Sequence, residues 1–117
     1  MTRVFFTTDG SDDFRKAKSY AQKKWGVAIR DSENGALKAI VAALEQNPRS
    51  GTVPADLADI GMHDYRQSLT KHNRVFHYYD QANDRAYIVM VIPQMRDFPT
   101  HLAKRILNTP TIRAMRG

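Results

Sequence analysis

The spacing of hydrophobic and polar positions changes several times along the chain, and each change marks an element. Val4 to Thr8 is β-branched and aromatic and runs into Asp9-Gly10, a turn pair, which predicts a short strand. Beyond it Phe14, Ala17, Ala21 and Trp25 recur at intervals of three and four, the signature of a helix with one apolar stripe. Ser11 is placed to cap that helix, and Asp12 and Asp13 suit its positive end. Arg15, Lys16, Lys18, Lys23 and Lys24 fall on its other face and read as a solvated surface.

Past Gly26, Leu37, Ile40, Val41 and Leu44 repeat the helical spacing, with Asp31 or Ser32 as the capping oxygen and Asn47-Pro48 as the stop. The two helices are expected to form an antiparallel hairpin. Residues 47–64 contain Pro48, Gly51, Pro54 and Gly61 and predict a long loop within the domain.

From Tyr65 the period becomes two. Tyr65 to Leu69, Arg74 to Tyr79 and Ala86 to Ile92 predict three strands, the last continuous in apolar residues and therefore central. Short polar stretches, 71–73 and 80–84, suit antiparallel turns between them. Pro93 ends the third strand, a helix is expected from about Pro99 to Leu107, and Asn108 to Gly117 reads as a flexible basic tail. The fold class predicted is α+β, a single domain over 1–107. It has an N-terminal strand, an antiparallel helix hairpin, a three-stranded antiparallel continuation of the sheet and a short C-terminal helix.

Composition narrows the chemistry. The 117 residues include no cysteine, which removes thiolate nucleophiles, disulfides and cysteine zinc sites. No apolar run approaches the roughly 20 residues of a membrane span. The opening residues do not form a signal peptide, so a cytoplasmic protein with no membrane partner is expected. Net charge is +6, and the excess is not spread evenly. Residues 1–64 hold nine basic and nine acidic side chains, whereas 65–117 hold nine basic and three acidic. A basic half within one domain points to an anionic partner: nucleic acid, an acidic protein or a phosphate-bearing surface.

Three arginines occupy comparable places in the strand region: Arg66 inside the first strand, Arg74 at the head of the second and Arg96 after the third. If the strands are neighbours, the guanidinium groups are expected to converge into an anion site, since arginine binds phosphate through paired donors and stabilises charge developing on phosphorus. The alternative is that each pairs with Asp64, Asp80 or Asp97. An RNA-cleaving reading also needs a general acid or base. Of His63, His72, His77 and His101, His101 is best placed beside Arg96, and His77, within an aromatic strand, reads as a packing residue. No histidine pair has metal-ligand spacing, and GxxxxGK[ST], GxSxG and paired carboxylates are absent. No cofactor or metal is expected. Phe76, Tyr78, Tyr79 and Tyr87 can stack on bases, but most of them are expected to build the core.

Four segments in order carry a family likeness. Leu44 to Gly51 resembles the "NPxSG" exit of a second helix, and Tyr65-Arg66-Gln67 and Asn73 to Tyr78 resemble "yRel" and "YRvfY" strands. Ile92 to Phe98 resembles "hgrRDl", and His101 to Leu107 a closing helix. Together they resemble the RelE/ParE superfamily, the toxins of type II toxin-antitoxin systems, over about residues 3–107. The resemblance implies a growth-arresting, plasmid-stabilising toxin neutralised by a cognate antitoxin with an acidic segment that folds on binding.

The two branches of that family imply different activities. A RelE-like ribosome-dependent mRNA endoribonuclease would use Arg66, Arg74, Arg96 and His101. Here Ser68 replaces a second basic residue, and Phe98 and Pro99 stand where a tyrosine is expected. A ParE-like member lacks the nuclease set and inhibits DNA gyrase. The stretch from Gln94 through Arg96-Asp97 to His101-Leu102 looks closer to that branch, although Pro93 stands where many members have histidine. The ParE-like branch is favoured, with Arg66, Lys71, Arg74, Arg96, Lys104 and Arg105 as the anion- or target-binding set. A non-toxic nucleic-acid-binding module is the remaining alternative.

Overall fold

The computed structural model describes residues 1–59, 61 and 63–94. Its elements are β1 (Arg3–Phe6), α1 (Thr8–Trp25), α2 (Val27–Gln46), α3 (Ala55–Asp59), β2 (Tyr65–Leu69), β3 (Asn73–Asp80) and β4 (Arg85–Pro93). The fold is α+β with one four-stranded sheet in the order β1-β4-β3-β2. The β2–β3 and β3–β4 pairs are antiparallel, while β1 lies parallel to β4, so the sheet is mixed. The expected helix over 99–107 and the tail over 108–117 lie outside the described residues.

Helix α1 begins three residues before the expected Ser11 cap. Thr7 is the cap: its Oγ1 accepts from the Gly10 N–H at 3.0 Å, and its own N–H donates to the Ile88 carbonyl at 3.0 Å. Asp9-Gly10 is thus first-turn helix instead of a turn. Gly10 is required there because a β-carbon would run into the Ile88 carbonyl oxygen.

Helix α2 also starts earlier than Asp31 or Ser32. Gly26, at φ 98°, turns the chain in a single residue, and α2 follows without a side-chain cap. A left-handed glycine does the work assigned to a polar cap. The consequence is that Glu33 falls inside α2 on its buried face, where it accepts from Thr70 Oγ1 at 2.5 Å and Asn73 Nδ2 at 2.8 Å. This carboxylate ties the β2–β3 turn to the hairpin.

Alternation sorts the strands into two faces. Val75, Ala86, Ile88 and Val91 pack with Leu37 and Leu44 of α2, with Phe14, Ala17, Ile40 and Val41 closing round them. The opposite face joins Tyr65, Phe76, Met90 and Ile92 to Leu57. Leu57 comes from the stretch expected to be loop: α3 forms there, its N–H groups at Leu57 and Ala58 both donating to the Pro54 carbonyl, and Leu57 is fully buried. The same stretch extends the sheet, since Thr52 and Gln67 exchange backbone hydrogen bonds of 3.0 and 2.8 Å.

β4 is central, as expected, and carries a bulge where Phe76 pairs with Met90 but His77 pairs with Ile88. β1 ends opposite Ile88, leaving the rest of that β4 edge to α1. Asp13 accepts from the Val91 N–H there at 3.1 Å. Among the described residues no helix is long and apolar enough to cross a membrane.

Candidate functional site

The register decides which of the expected residues meet. Arg66 lies opposite His77, and Arg74 lies opposite Leu69. Positions 66 and 69 differ by an odd number, so Arg66 and Arg74 point from opposite faces of the sheet. The expected convergence of these two guanidinium groups is therefore corrected: period-two alternation separates them. Lys71 sits past the far end of β2 in the β2–β3 turn, five residues or roughly 17 Å of extended chain from Arg66. Arg96, His101, Lys104 and Arg105 lie outside the described residues.

What Arg66 does meet is a polar cluster on the helix-side face at the β2 edge. His77 is 1% exposed, and its Nε2 is 3.0 Å from Ser68 Oγ. Burial, helped by the neighbouring Arg66 charge, pushes the imidazole down from 6.5 to about 4. It is neutral at pH 7. Arg66 itself donates from Nη1 to the Gly51 carbonyl at 3.2 Å. Gly51 has φ 83° and lies so close to β2 that a β-carbon would collide with the Gln67 carbonyl. The glycine of the "NPxSG" segment thereby holds the loop against the strand that carries Arg66 and Ser68.

Beside this cluster opens a cleft of about 420 Å³ whose lining includes Arg49, His63, Asp64, Arg66, His77 and Tyr79. Arg49 lies over the Tyr79 ring at 4.9 Å and donates to Gln81 Oε1 at 2.9 Å. The cleft brings together two arginines and two histidines, one of them exposed His63. Such a set can bind an anion and exchange a proton with it. Arg49 carries no site signal in the sequence, and His63 is one of four candidate histidines there with nothing to favour it over His101, because both lie in the irregular stretch before β2, where no periodicity assigns a direction.

A second and larger cleft, about 860 Å³, runs between α1 and the β2–β3 turn. Trp25, expected in the apolar stripe of α1, is 41% exposed there and stacks on His72 with ring centroids 4.3 Å apart. Lys71, Lys24 and Lys16 line the same cleft, so Lys71 belongs to a different surface from Arg66.

At the opposite end of the sheet, Asp84 (φ 51°) accepts at Oδ1 from Thr2 Oγ1 at 2.7 Å and Tyr79 Oη at 2.8 Å. These hydrogen bonds, that from Thr2 foremost, hold the carboxyl below its usual range, and Asp84 in turn raises the Tyr79 phenol. The contact fixes the start of the chain to the β3–β4 turn. Among the described residues no cluster of three or more potential metal ligands occurs. Compared with known families and proteins, the chain matches no family model and no curated protein.

Proposed function

We propose that this chain is a growth-arresting toxin of a type II toxin-antitoxin module, acting as ParE-like proteins do by inhibiting DNA gyrase and neutralised by a cognate antitoxin. Support for the toxin reading comes from the motif series and from the order strand, helix hairpin, loop, three strands, which the resemblance implies. The observation that carries the choice of branch is the β2–β3 register. Arg66 and Arg74 diverge to opposite faces, and a nuclease that needs both on one scissile phosphate is poorly served by that arrangement. A binding protein is not so constrained, because separate basic surfaces can engage separate parts of a large target. Purified protein is expected to inhibit gyrase supercoiling of relaxed plasmid at micromolar concentration; untouched supercoiling overturns the gyrase reading.

One observation favours the nuclease branch as a second reading. The 420 Å³ cleft supplies Arg49 and Arg66 for a phosphate and His63 as a proton-transfer group, without Arg74. Primer extension on translated messages would then show cuts that disappear in His63→Ala and Arg66→Ala. Intact messages under induced expression exclude it.

A further inference from the structure

The pairing register lines up one aromatic residue from every strand. Phe5 of β1 lies opposite Tyr87 of β4, Tyr87 opposite Tyr78 of β3, and Tyr78 opposite Tyr65 of β2. All four belong to the face away from the α1–α2 hairpin. The Phe5 and Tyr87 rings stack with centroids 5.7 Å apart, and Tyr65 and Tyr78 are 5.4 Å apart. Tyr65 is buried beside Leu57 and anchors the row. Tyr78 and Tyr87 are half-buried, and Phe5 is 38% exposed. The row is a ladder that rises out of the core toward the β1 edge.

Two residues back along β1 and β4, on the same face, Arg3 and Arg85 are register partners. Like charges directly opposite each other destabilise a sheet. Asp80 is the other register partner of Arg85, yet neither arginine makes a salt bridge with a described residue. The Arg85 guanidinium sits 5.5 Å from the centre of the Phe5 ring. A bound anion would relieve the repulsion between the two arginines. Flat rings for stacking, bordered by paired cations, match one chemistry: bases on a phosphate backbone. A duplex keeps its bases stacked on one another, so only a single strand can use both features.

We propose that the Phe5–Tyr87–Tyr78 ladder with Arg3 and Arg85 is a binding site for single-stranded nucleic acid, two or three bases stacking on the rings and their phosphates meeting the arginines. The site shares Tyr78 with the lining of the Arg66 cleft at the β2 edge, but Phe5, Tyr87, Arg3 and Arg85 stand outside that lining.

Fluorescence anisotropy with labelled 12-nucleotide single strands of RNA and DNA and a matching duplex tests it. The full chain should bind a single strand at least about tenfold more tightly than the duplex. Phe5→Ala should weaken single-strand binding about five- to one-hundredfold, as should Tyr87→Leu, which keeps the apolar packing. Phe5→Tyr should retain it. Arg85→Gln should lower the slope of log affinity against log salt by about 0.7. The RNA and DNA arms tell which strand is preferred. Equal affinity for duplex and single strand overturns the proposal, as does unchanged binding by Phe5→Ala and Tyr87→Leu. Displacement of the strand by a polyglutamate peptide whose own binding needs the same rings also overturns it, giving the face to an acidic protein. Growth arrest scored in the same variants separates the two readings: arrest without strand binding defeats only the ladder, and binding without arrest defeats only the toxin reading.

Discussion

His77 Nε2 and Ser68 Oγ lie 3.0 Å apart on the face of the sheet that also carries Arg66. A neutral imidazole can share a hydroxyl proton in either direction. A protonated one must donate, and it would place a buried positive charge beside a guanidinium. The pair is therefore stable only while His77 is uncharged.

That state has a pH signature. The unfolded chain binds a proton at His77 near 6.5 and the folded chain only near 4, so between those values the unfolded state holds more protons. Stability is full above 6.5 and falls as pH drops toward 4, by roughly 3 kcal/mol at about 1.4 kcal/mol per pH unit. Urea unfolding at pH 7, 5.5 and 4 should show this loss in the wild type. His77→Gln should lack that component, and an equal loss in both proteins contradicts the assignment.

Arg66 is the smaller of the two causes. Arg66→Gln should move the His77 titration upward from about 4 while burial keeps it below 6.5. An imidazole NMR titration reads the change directly, and an unmoved midpoint would show that the guanidinium exerts no field on His77.

Three glycines that look equivalent in the sequence should respond differently to alanine. Gly10→Ala and Gly51→Ala meet the carbonyl oxygens of Ile88 and Gln67, and each should cost about 2–3 kcal/mol in urea unfolding. Gly35 lies in α2 with nothing near its would-be β-carbon, so Gly35→Ala should stabilise by about 0.5–1 kcal/mol.

Glu33 is a buried acceptor with two donors from one turn. Glu33→Ala leaves Thr70 and Asn73 without that partner and should cost about 2–4 kcal/mol by chemical denaturation. Glu33→Gln keeps an acceptor oxygen for both and should cost less than half as much.

Trp25 is the only tryptophan, and its stack on His72 links the end of α1 to the β2–β3 turn. His72→Ala should change the intensity of its emission and lower stability by about 0.5–1.5 kcal/mol. Unchanged fluorescence would mean that the rings do not stack in solution.

Much of this architecture was legible in the chain. The stripe of Leu37, Ile40, Val41 and Leu44 and the continuous run of Ala86 to Ile92 predicted a helix and a central strand, because each pattern has only one way to bury its apolar side. Helix starts were misplaced where backbone geometry replaced side-chain caps. Gly26 turned the chain without one, and Thr7 capped α1 before the more obvious Ser11. The α3 segment has no signature in the sequence because five residues are too few to show a period, although Leu57 anchors a core.

The candidate site was less legible for a different reason. Arg66 and Arg74 hold comparable positions along their strands, but which face each occupies depends on register, a property of paired strands. The same register produced the ladder of Phe5, Tyr87, Tyr78 and Tyr65, whose members lie far apart in the chain. Partners across a sheet cannot be read from spacing along one strand.

The most direct measurement of the toxin proposal is growth of a bacterial culture in which this chain is expressed from a tightly controlled promoter. Division is predicted to stop on induction. A culture that keeps growing at the rate of an empty-vector control while accumulating the folded protein contradicts it.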